Sequence, residues 1–301
     1  MTNPIVGVGE LVWDVFPDGR TVAGGAPFNF AFHCRQLGHD AVIVSRVGDD
    51  EPGRRLRAEV RRLGLTDAYI QTDPVRPTGT VQVSVDHAGV PSYEIRQGVA
   101  WDFIEWTPEL DALTDRAAVV CHGMLALRSP ASRATVERMI EENRKSILPS
   151  VRVLDVNLRE PRPGKAELDQ ALVAAEWVKV NGDELDELAG LFGLTPAGLM
   201  QAHRDHAAGH ECVWLVTHGS AGAEVYAPAG HYRQPAPPAR VVDTVGAGDA
   251  FTAAAVCLHL DGKPWDECLR FAVRYAAAVC EHPGATPRID QPRLRDDRVS
   301  G

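Results

Sequence analysis

Along the chain, short β-branched apolar runs alternate with stretches whose apolar residues recur at helical spacing. Residues 5–8, 41–47, 117–121, 151–156, 177–180 and 212–217 read as buried strands, and 52–64, 129–145, 164–175 and 196–209 read as helices. Continuous apolar strands separated by crossover helices predict an α/β fold, with a doubly wound, mainly parallel sheet flanked by helices. Residues 10–23 and 78–100 break this rhythm. They alternate with period two around turn signals at Pro17-Asp18-Gly19 and His87-Ala88-Gly89, so antiparallel strands are expected there. Because they are inserted before and after the first βαβ units, they are expected to pair as a small separate sheet. No linker or repeat divides the chain, and residues 1–301 are expected to form one domain. The Pro-rich piece 234–238 reads as a rigid connection.

That connection leads into Asp243-Thr244-Val245-Gly246-Ala247-Gly248-Asp249, which opens an apolar helical stretch reaching about Leu260. Two glycines let successive backbone N–H groups converge, and the helix start adds unpaired N–H groups and a positive dipole end, which together make an anion cradle. A carboxylate in such a cradle repels the anion the turn attracts. Taken alone, the segment reads first as a Gly-rich strand-to-helix turn with Asp249 as an ordinary first-turn residue; the alternative is a base taking a proton beside a developing negative charge, the arrangement of phosphoryl transfer to an alcohol. Early in the chain Gly24-Gly25-Ala26-Pro27-Phe28-Asn29 precedes a second helix that Gly38 is placed to end. Paired glycines permit close approach of a ligand, and Asn29 on the first turn can both donate and accept.

The formal net charge of −10 and pI near 5.6 give no support to nucleic acid or an anionic membrane as partner. With no basic leader and no apolar run long enough to span a bilayer, a cytoplasmic protein is expected. The cysteines at 34, 121, 212, 257, 268 and 280 form no C-x-x-C and read as reduced core residues. His203, His206 and His210 share one side of a predicted helix near its end, where imidazoles suit the dipole; this reading is preferred over a metal cluster. No Walker A loop exists, because no glycine stands five residues before Gly164-Lys165. Gly7-Val8-Gly9 lacks the third glycine of a dinucleotide fingerprint, since Val12 stands there.

The pair G-G-x-P-x-N-x-A…L-G at 24–38 and D-T-x-G-A-G-D at 243–249 resembles the two signatures of the ribokinase-like (PfkB) carbohydrate kinases. Residues 48–53 resemble the family's G-x-D-x-x-G, 155–159 its D-x-N-x-R, 181–184 its N-x-x-E and 217–222 its T-x-G-x-x-G. The resemblance implies a ribokinase-like fold in which the small sheet is a β-lid over the sugar site. It further implies Asp249 as general base, with Gly246, Ala247 and Gly248 donating N–H groups to the transferring phosphoryl. Asp14, Gly25 and Asn29 match sugar-hydroxyl binders, although Asp14 can also be read as a turn residue beside Pro17. Arg159 is expected either to neutralise phosphate charge or to form a surface salt bridge. ATP is expected near Asn181, Thr217, Gly219 and Gly222, with adenine along 277–284, at Ala277, Cys280 and Gly284. Magnesium is expected to be held through water by Asn181 and Glu184. Asp243, with backbone carbonyls near Val245, Val279 and Gly284, resembles a monovalent-cation site for potassium.

Tyr93-Glu94-Ile95 followed by Ala100-Trp101-Asp102 resembles the fructokinases of the family, which places Trp101 with the substrate and makes D-fructose the expected acceptor. Ribose and 2-keto-3-deoxygluconate are the alternatives. The lid offers only Arg20, Arg76 and Arg96 as phosphate binders, so a neutral sugar is favoured over a phosphorylated one. A non-catalytic sugar-sensing subunit is the reading of a different class; an intact Asp249 and glycine turn argue against it. An open lid edge invites a second subunit, so a homodimer is expected.

Overall fold

The computed structural model describes residues 3–85, 91–148, 150–206 and 211–290. The chain forms two compact units, one drawn from Met1–Phe32, Asp40–Ser150 and Arg159–Pro161, the other from His33–His39, Val151–Leu158 and Arg162–Gly301. The first opens with β1 (Ile5–Val8), β2 (Val12–Val15), β3 (Thr21–Gly24) and α1 (Ala26–Gln36), whose turns from His33 onward count with the second. β4 (Ala41–Gly48), α2 (Glu51–Arg62), β5 (Ile70–Asp73), β6 (Gly79–Val85), β7 (Pro91–Ile95), α3 (Pro108–Asp115), β8 (Val119–Gly123) and α4 (Pro130–Lys145) complete it. β8, β1, β4 and β5 run parallel in that spatial order, and β1 is buried at every position, as an apolar strand in a helix-covered sheet must be.

The two period-two segments supply the second, smaller sheet, in the order β3-β2-β6-β7. The β2–β3 and β6–β7 pairs are antiparallel, while β2 and β6 run parallel because they arrive from separate insertions rather than from one hairpin. The turn expected at Pro17-Asp18-Gly19 is present, with Phe16 N–H donating to the Arg20 carbonyl and Gly19 at φ +83°. His87-Ala88-Gly89 lies outside the described residues.

The second unit contains β9 (Val151–Asp155), α5 (Lys165–Ala174), β10 (Trp177–Asn181), α6 (Gly182–Phe192), α7 (Pro196–His206), β11 (Val213–Thr217), β12 (Ala223–Ala227), β13 (Gly230–Gln234), α8 (Ala247–Leu260) and α9 (Trp265–Cys280). β9, β10 and β11 are parallel neighbours, and β12 and β13 extend them antiparallel. The expected α/β class, with mainly parallel strands flanked by helices and a small second sheet, is the class observed.

Helix ends follow local chemistry. Asp50 caps α2 by accepting from Gly53 N–H at 2.8 Å, Pro52 sits in the first turn, and Arg61 and Arg62 occupy the last. α6 starts with a capping box between Asn181 and Glu184 and ends at Gly193, whose φ of +69° favours glycine. Val136, Met139, Ile140 and Asn143 bury one stripe of α4 at helical spacing. α8 is different: from Ala250 to Leu258 every side chain is buried, so small residues are needed to let neighbours, α9 among them, approach on every side. α3, α6, α9, β5, β12 and β13 are absent from the sequence-based assignment.

His122 in β8 is buried, and desolvation pushes its pKa down to about 4 from an ordinary value of 6.5. A base whose folded pKa is depressed contributes stability above the unfolded value and loses it as pH falls toward the folded one, because only the unfolded chain takes the proton. Between pH 7 and pH 5 the parent should therefore lose about 2 kcal/mol from this group alone. His122→Gln should be less stable at pH 7 but lose correspondingly less on acidification, as read from urea midpoints at the two pH values. Equal losses in parent and variant would remove His122 as a source of acid sensitivity.

Candidate active site

In the first unit the residues matched to sugar binding gather around the turn between β3 and α1. Asp14 on β2 is half-buried and lies against Gly24: a Cβ at Gly24 would stand 2.5 Å from Asp14 Oδ2. Gly25 has φ +118°, and a Cβ there would run into the Glu10 carbonyl, so both glycines are demanded by close approach. Glu10 Oε1 accepts from Ala26 N–H at 3.1 Å, which orients the start of α1. Asn29 follows on the first turn, its N–H donating to the Gly25 carbonyl at 2.9 Å, and its side chain is buried. Desolvation raises the pKa of Asp14 to about 6.

Trp101, expected among the substrate contacts, is only 1% exposed and packs with Val12, Val81 and Val99. Gly79 lies against its indole edge, and the Arg128 guanidinium sits 3.9 Å over the ring while pairing with Asp102 at 2.7 Å. Its contacts here are with protein, and it supports the small sheet. Asp50, from the G-x-D-x-x-G stretch, accepts from Thr78 N–H at 2.9 Å and Thr78 Oγ1 at 2.5 Å besides capping α2, so that motif ties α2 to the start of β6. Arg159 is exposed in the loop after β9.

The second unit holds the turn read from the sequence as an anion cradle. Gly246 caps α8 with φ +78°, its carbonyl accepting from Ala250 N–H at 2.9 Å, and Asp249 lies on the helix's first turn, half-buried. Asp243 closes the turn from below: Oδ1 accepts from Val245 N–H at 3.0 Å and Oδ2 from Gly284 N–H at 2.9 Å. The Cys280 carbonyl accepts from Val242 and Asp243 N–H, at 2.8 and 3.2 Å, which brings Cys280 beside the cradle turn. Ala277, one turn earlier on α9, is half-buried.

At the C-terminal ends of the parallel strands, Asn181 pairs with Thr217 across β10 and β11. Asn181 Oδ1 accepts from Glu184 N–H, and Glu184 returns the bond to Asn181 N–H, both at 2.8 Å. The other Glu184 oxygen accepts from Leu158 N–H at 2.9 Å. Each of these oxygens already accepts one backbone N–H, a donor set compatible with magnesium held through water; among the described residues no group of three His, Cys, Asp or Glu side chains can hold a metal. Gly219 and Gly222 both take positive φ, +54° and +102°, and Gly222 admits no Cβ because the Gln234 carbonyl fills the space.

One buried charge beside the turn went unmarked in the sequence. Lys179 on β10 is 7% exposed, and its Nζ lies 3.0 Å from Asp155 Oδ1. A Cβ on Gly248 would stand 2.8 Å from that Nζ, so the ammonium lies directly beneath the cradle. Burial alone would push Lys179 down, yet attraction to Asp155, Glu184 and Asp249 outweighs it and holds the pKa above its ordinary value. The available signal was a charge between Val178 and Val180 in a strand read as buried.

His203 is a core residue: Nε2 donates to the Ala175 carbonyl at 2.9 Å, and Nδ1 accepts from Trp214 Nε1 at 3.1 Å. His206 is exposed at the end of α7, and His210 lies outside the described residues. No described helix is long and apolar enough to cross a membrane.

Residues 14–292 match the model of the pfkB family carbohydrate kinases, and the chain belongs to that family. It is 29% identical to fructokinase-1 of Zea mays over 309 residues, covering 95% of this chain and 94% of the relative. Ribokinase of Arabidopsis thaliana is 31% identical over 283 residues, covering 90% and 70%. In fold it resembles the fructokinase of Xylella fastidiosa solved with bound ATP, with a TM-score of 0.85 at 20% identity over 95% of this chain and 94% of that one.

Removing one partner of a buried ion pair strands the other charge, at a cost of about 3–5 kcal/mol. Lys179→Met should accordingly lose several kcal/mol of stability in denaturant titrations, and the double variant Lys179→Met/Asp155→Asn should recover most of it. A double variant no more stable than the single one would show that Asp155 is not the charge Lys179 compensates.

Proposed function

We propose that this carbohydrate kinase transfers the terminal phosphoryl group of ATP to a hydroxymethyl oxygen of a small neutral sugar, with D-fructose preferred over ribose and 2-keto-3-deoxygluconate. The observation that carries the reading is Asp249 on the first turn of α8, directly after a glycine turn that has the Lys179 ammonium beneath it. Asp249 takes the hydroxyl proton as the sugar oxygen bonds to phosphorus, while the bond to the bridging oxygen breaks and its electron pair leaves with ADP. The N–H groups at Gly246, Ala247 and Gly248 meet the charge on the transferring group; loss of one such donor typically costs about 10²–10³ in rate. Magnesium bound with the nucleotide would neutralise phosphate charge, with Asn181 and Glu184 facing its water shell. Potassium would belong to the Asp243 turn, where the carboxylate fixes the backbone rather than offering free oxygens.

Sugar chemistry follows from the first unit. Asp14 and Glu10 put two carboxylates at the Gly24-Gly25 turn, which suits hydroxyl donors and repels an anionic substrate. Two of the basic residues weighed for a phosphate are already engaged: Arg20 pairs with Asp18 and stacks on Phe16, and Arg76 contacts Asp73 and Phe103. A neutral polyol satisfies the carboxylates without needing them.

Asp249→Asn keeps shape and polarity but cannot accept a proton at neutral pH, so turnover should fall by roughly 10²–10⁴ with sugar and nucleotide affinities within a few-fold. A variant keeping more than about a tenth of parental turnover would remove Asp249 from the base role. Steady-state kinetics on fructose, ribose, adenosine, 2-keto-3-deoxygluconate and fructose 6-phosphate should give fructose the highest kcat/KM. A tenfold advantage for another neutral sugar, about 1.4 kcal/mol in transition-state binding, would overturn the fructose assignment and leave the kinase reading standing.

A further inference from the structure

The anion cradle is backed by a strap of chain, residues 284–289, that has no regular secondary structure of its own. Ala285 lies so close to Gly246 that a Cβ there would stand 2.6 Å from the Ala285 Cβ, and Gly284 N–H is held by Asp243. Wherever the strap sits, Gly246 must follow, because no side chain between them can absorb a shift. The strap's far side is held from α1. His33 Nε2 lies 2.9 Å from the Ala285 carbonyl, Gln36 Nε2 donates to the Pro287 carbonyl at 3.1 Å, and Gln36 Oε1 accepts from Ile289 N–H at 2.7 Å.

The tautomer of His33 follows from these partners. A carbonyl only accepts, so Nε2 carries the proton; Nδ1, 3.0 Å from Tyr275 Oη, then accepts from the tyrosine hydroxyl. That hydroxyl accepts in turn from Gln36 Nε2 at 2.8 Å, and the imidazole and phenol rings stand edge to face at 5.5 Å. His33 is 0% exposed, and burial pushes its pKa down to about 4, so one neutral tautomer persists at physiological pH. A buried network of this kind fixes one geometry that an apolar side chain of similar size would leave loose.

We propose that His33 is a positioning residue for phosphoryl transfer: through its Nε2–H bond to the Ala285 carbonyl it fixes the strap against which Gly246 packs, and so aims the cradle N–H groups. The inference rests on the cradle being the phosphoryl site, and it is tested separately from it. Hydrogen exchange followed by mass spectrometry on the whole chain reads the structural coupling without any turnover. In His33→Phe, exchange should speed up together in 284–289 and in 244–249, while β10 (Trp177–Asn181) stays as protected as in the parent. His33→Gln, which restores a donor toward Ala285, should return both segments toward parental protection. Faster exchange confined to 284–289 overturns the proposal, as does failure of His33→Gln to restore either segment.

Kinetics supply the second arm. His33→Phe should lower kcat roughly 10- to 100-fold, the scale of a small misplacement of catalytic groups, with the sugar KM within about twofold and recovery in His33→Gln. Equal loss in both variants, or a rise in sugar KM matching the loss of kcat, overturns it. Should His33→Phe fail to fold, Tyr275→Phe, which removes only the donor to Nδ1, should give the same paired exchange change at smaller amplitude; no change in 244–249 in that variant also overturns it. A parent enzyme inactive on every sugar would instead refute the kinase reading, while the exchange arm still decides whether His33 sets the cradle.

Discussion

A buried ammonium governs the second unit. Taking a lysine charge out of water costs several kcal/mol unless it is paired and hydrogen-bonded, so Lys179 cannot occupy the middle of β10 without Asp155 on the neighbouring strand. Once it is there, whatever covers it must be small, and Gly248 is the residue that covers it. The glycine in turn brings backbone, rather than a side chain, to the point where an anion would sit. Three carboxylates, Asp155, Glu184 and Asp249, interact with this one ammonium, so the surroundings carry excess negative charge. On the kinase reading that excess has a use: a polyphosphate is repelled unless a divalent cation arrives with it, so the free nucleotide is disfavoured relative to its metal complex.

Glycines recur wherever such constraints act, and they were the most legible part of the site. Gly24, Gly25, Gly246 and Gly248 each mark a place where a Cβ would collide, with Asp14, Glu10, Ala285 and Lys179 respectively. The sequence shows that something must come close at these positions. What comes close is hidden, because the partner lies on another element. Lys179 illustrates this: within Trp177-Val178-Lys179-Val180 it reads as a charge in an apolar strand, and its meaning appears only when β9 is laid beside β10. Helices with a local start signal and an apolar stripe, such as α2 with its Asp50 cap and α4 with Pro130 in its first turn, were visible locally for the opposite reason. β13 was invisible because it is an edge strand with mostly exposed residues and no apolar alternation.

Motif resemblance and local physics also compete for the same letters. Asn181-Gly182-Asp183-Glu184 fits the family's N-x-x-E and equally fits a capping box, and the structure shows the capping box made in full. On the proposed reading, the motif would serve the nucleotide from the positions that capping leaves it, which suits magnesium held through water. Trp101 shows the same ambiguity. An aromatic beside a substrate motif suggests a stacking platform, but a large ring is worth most when buried, and this one fills the space between Val12 and Gly79 under Arg128.

If the Gly24-Gly25 turn is the sugar side, as proposed, it is held in a state that favours a ligand. Asp14 is drawn partly out of water, and no described residue is shown donating a hydrogen bond to its carboxylate, so burial raises its pKa toward 6. At neutral pH it is ionised yet incompletely solvated, a cost that the free protein bears continuously. On the proposed reading, hydroxyl donors from a polyol would relieve that cost on binding, whereas an apolar ligand would deepen it and a phosphate would add like-charge repulsion. On the proposed reading, discrimination would arise from the burial of this carboxylate more than from any further contact with the sugar. The glycine pair makes this arrangement possible, since any side chain at Gly24 would displace the Asp14 carboxylate from the place where it is under-solvated.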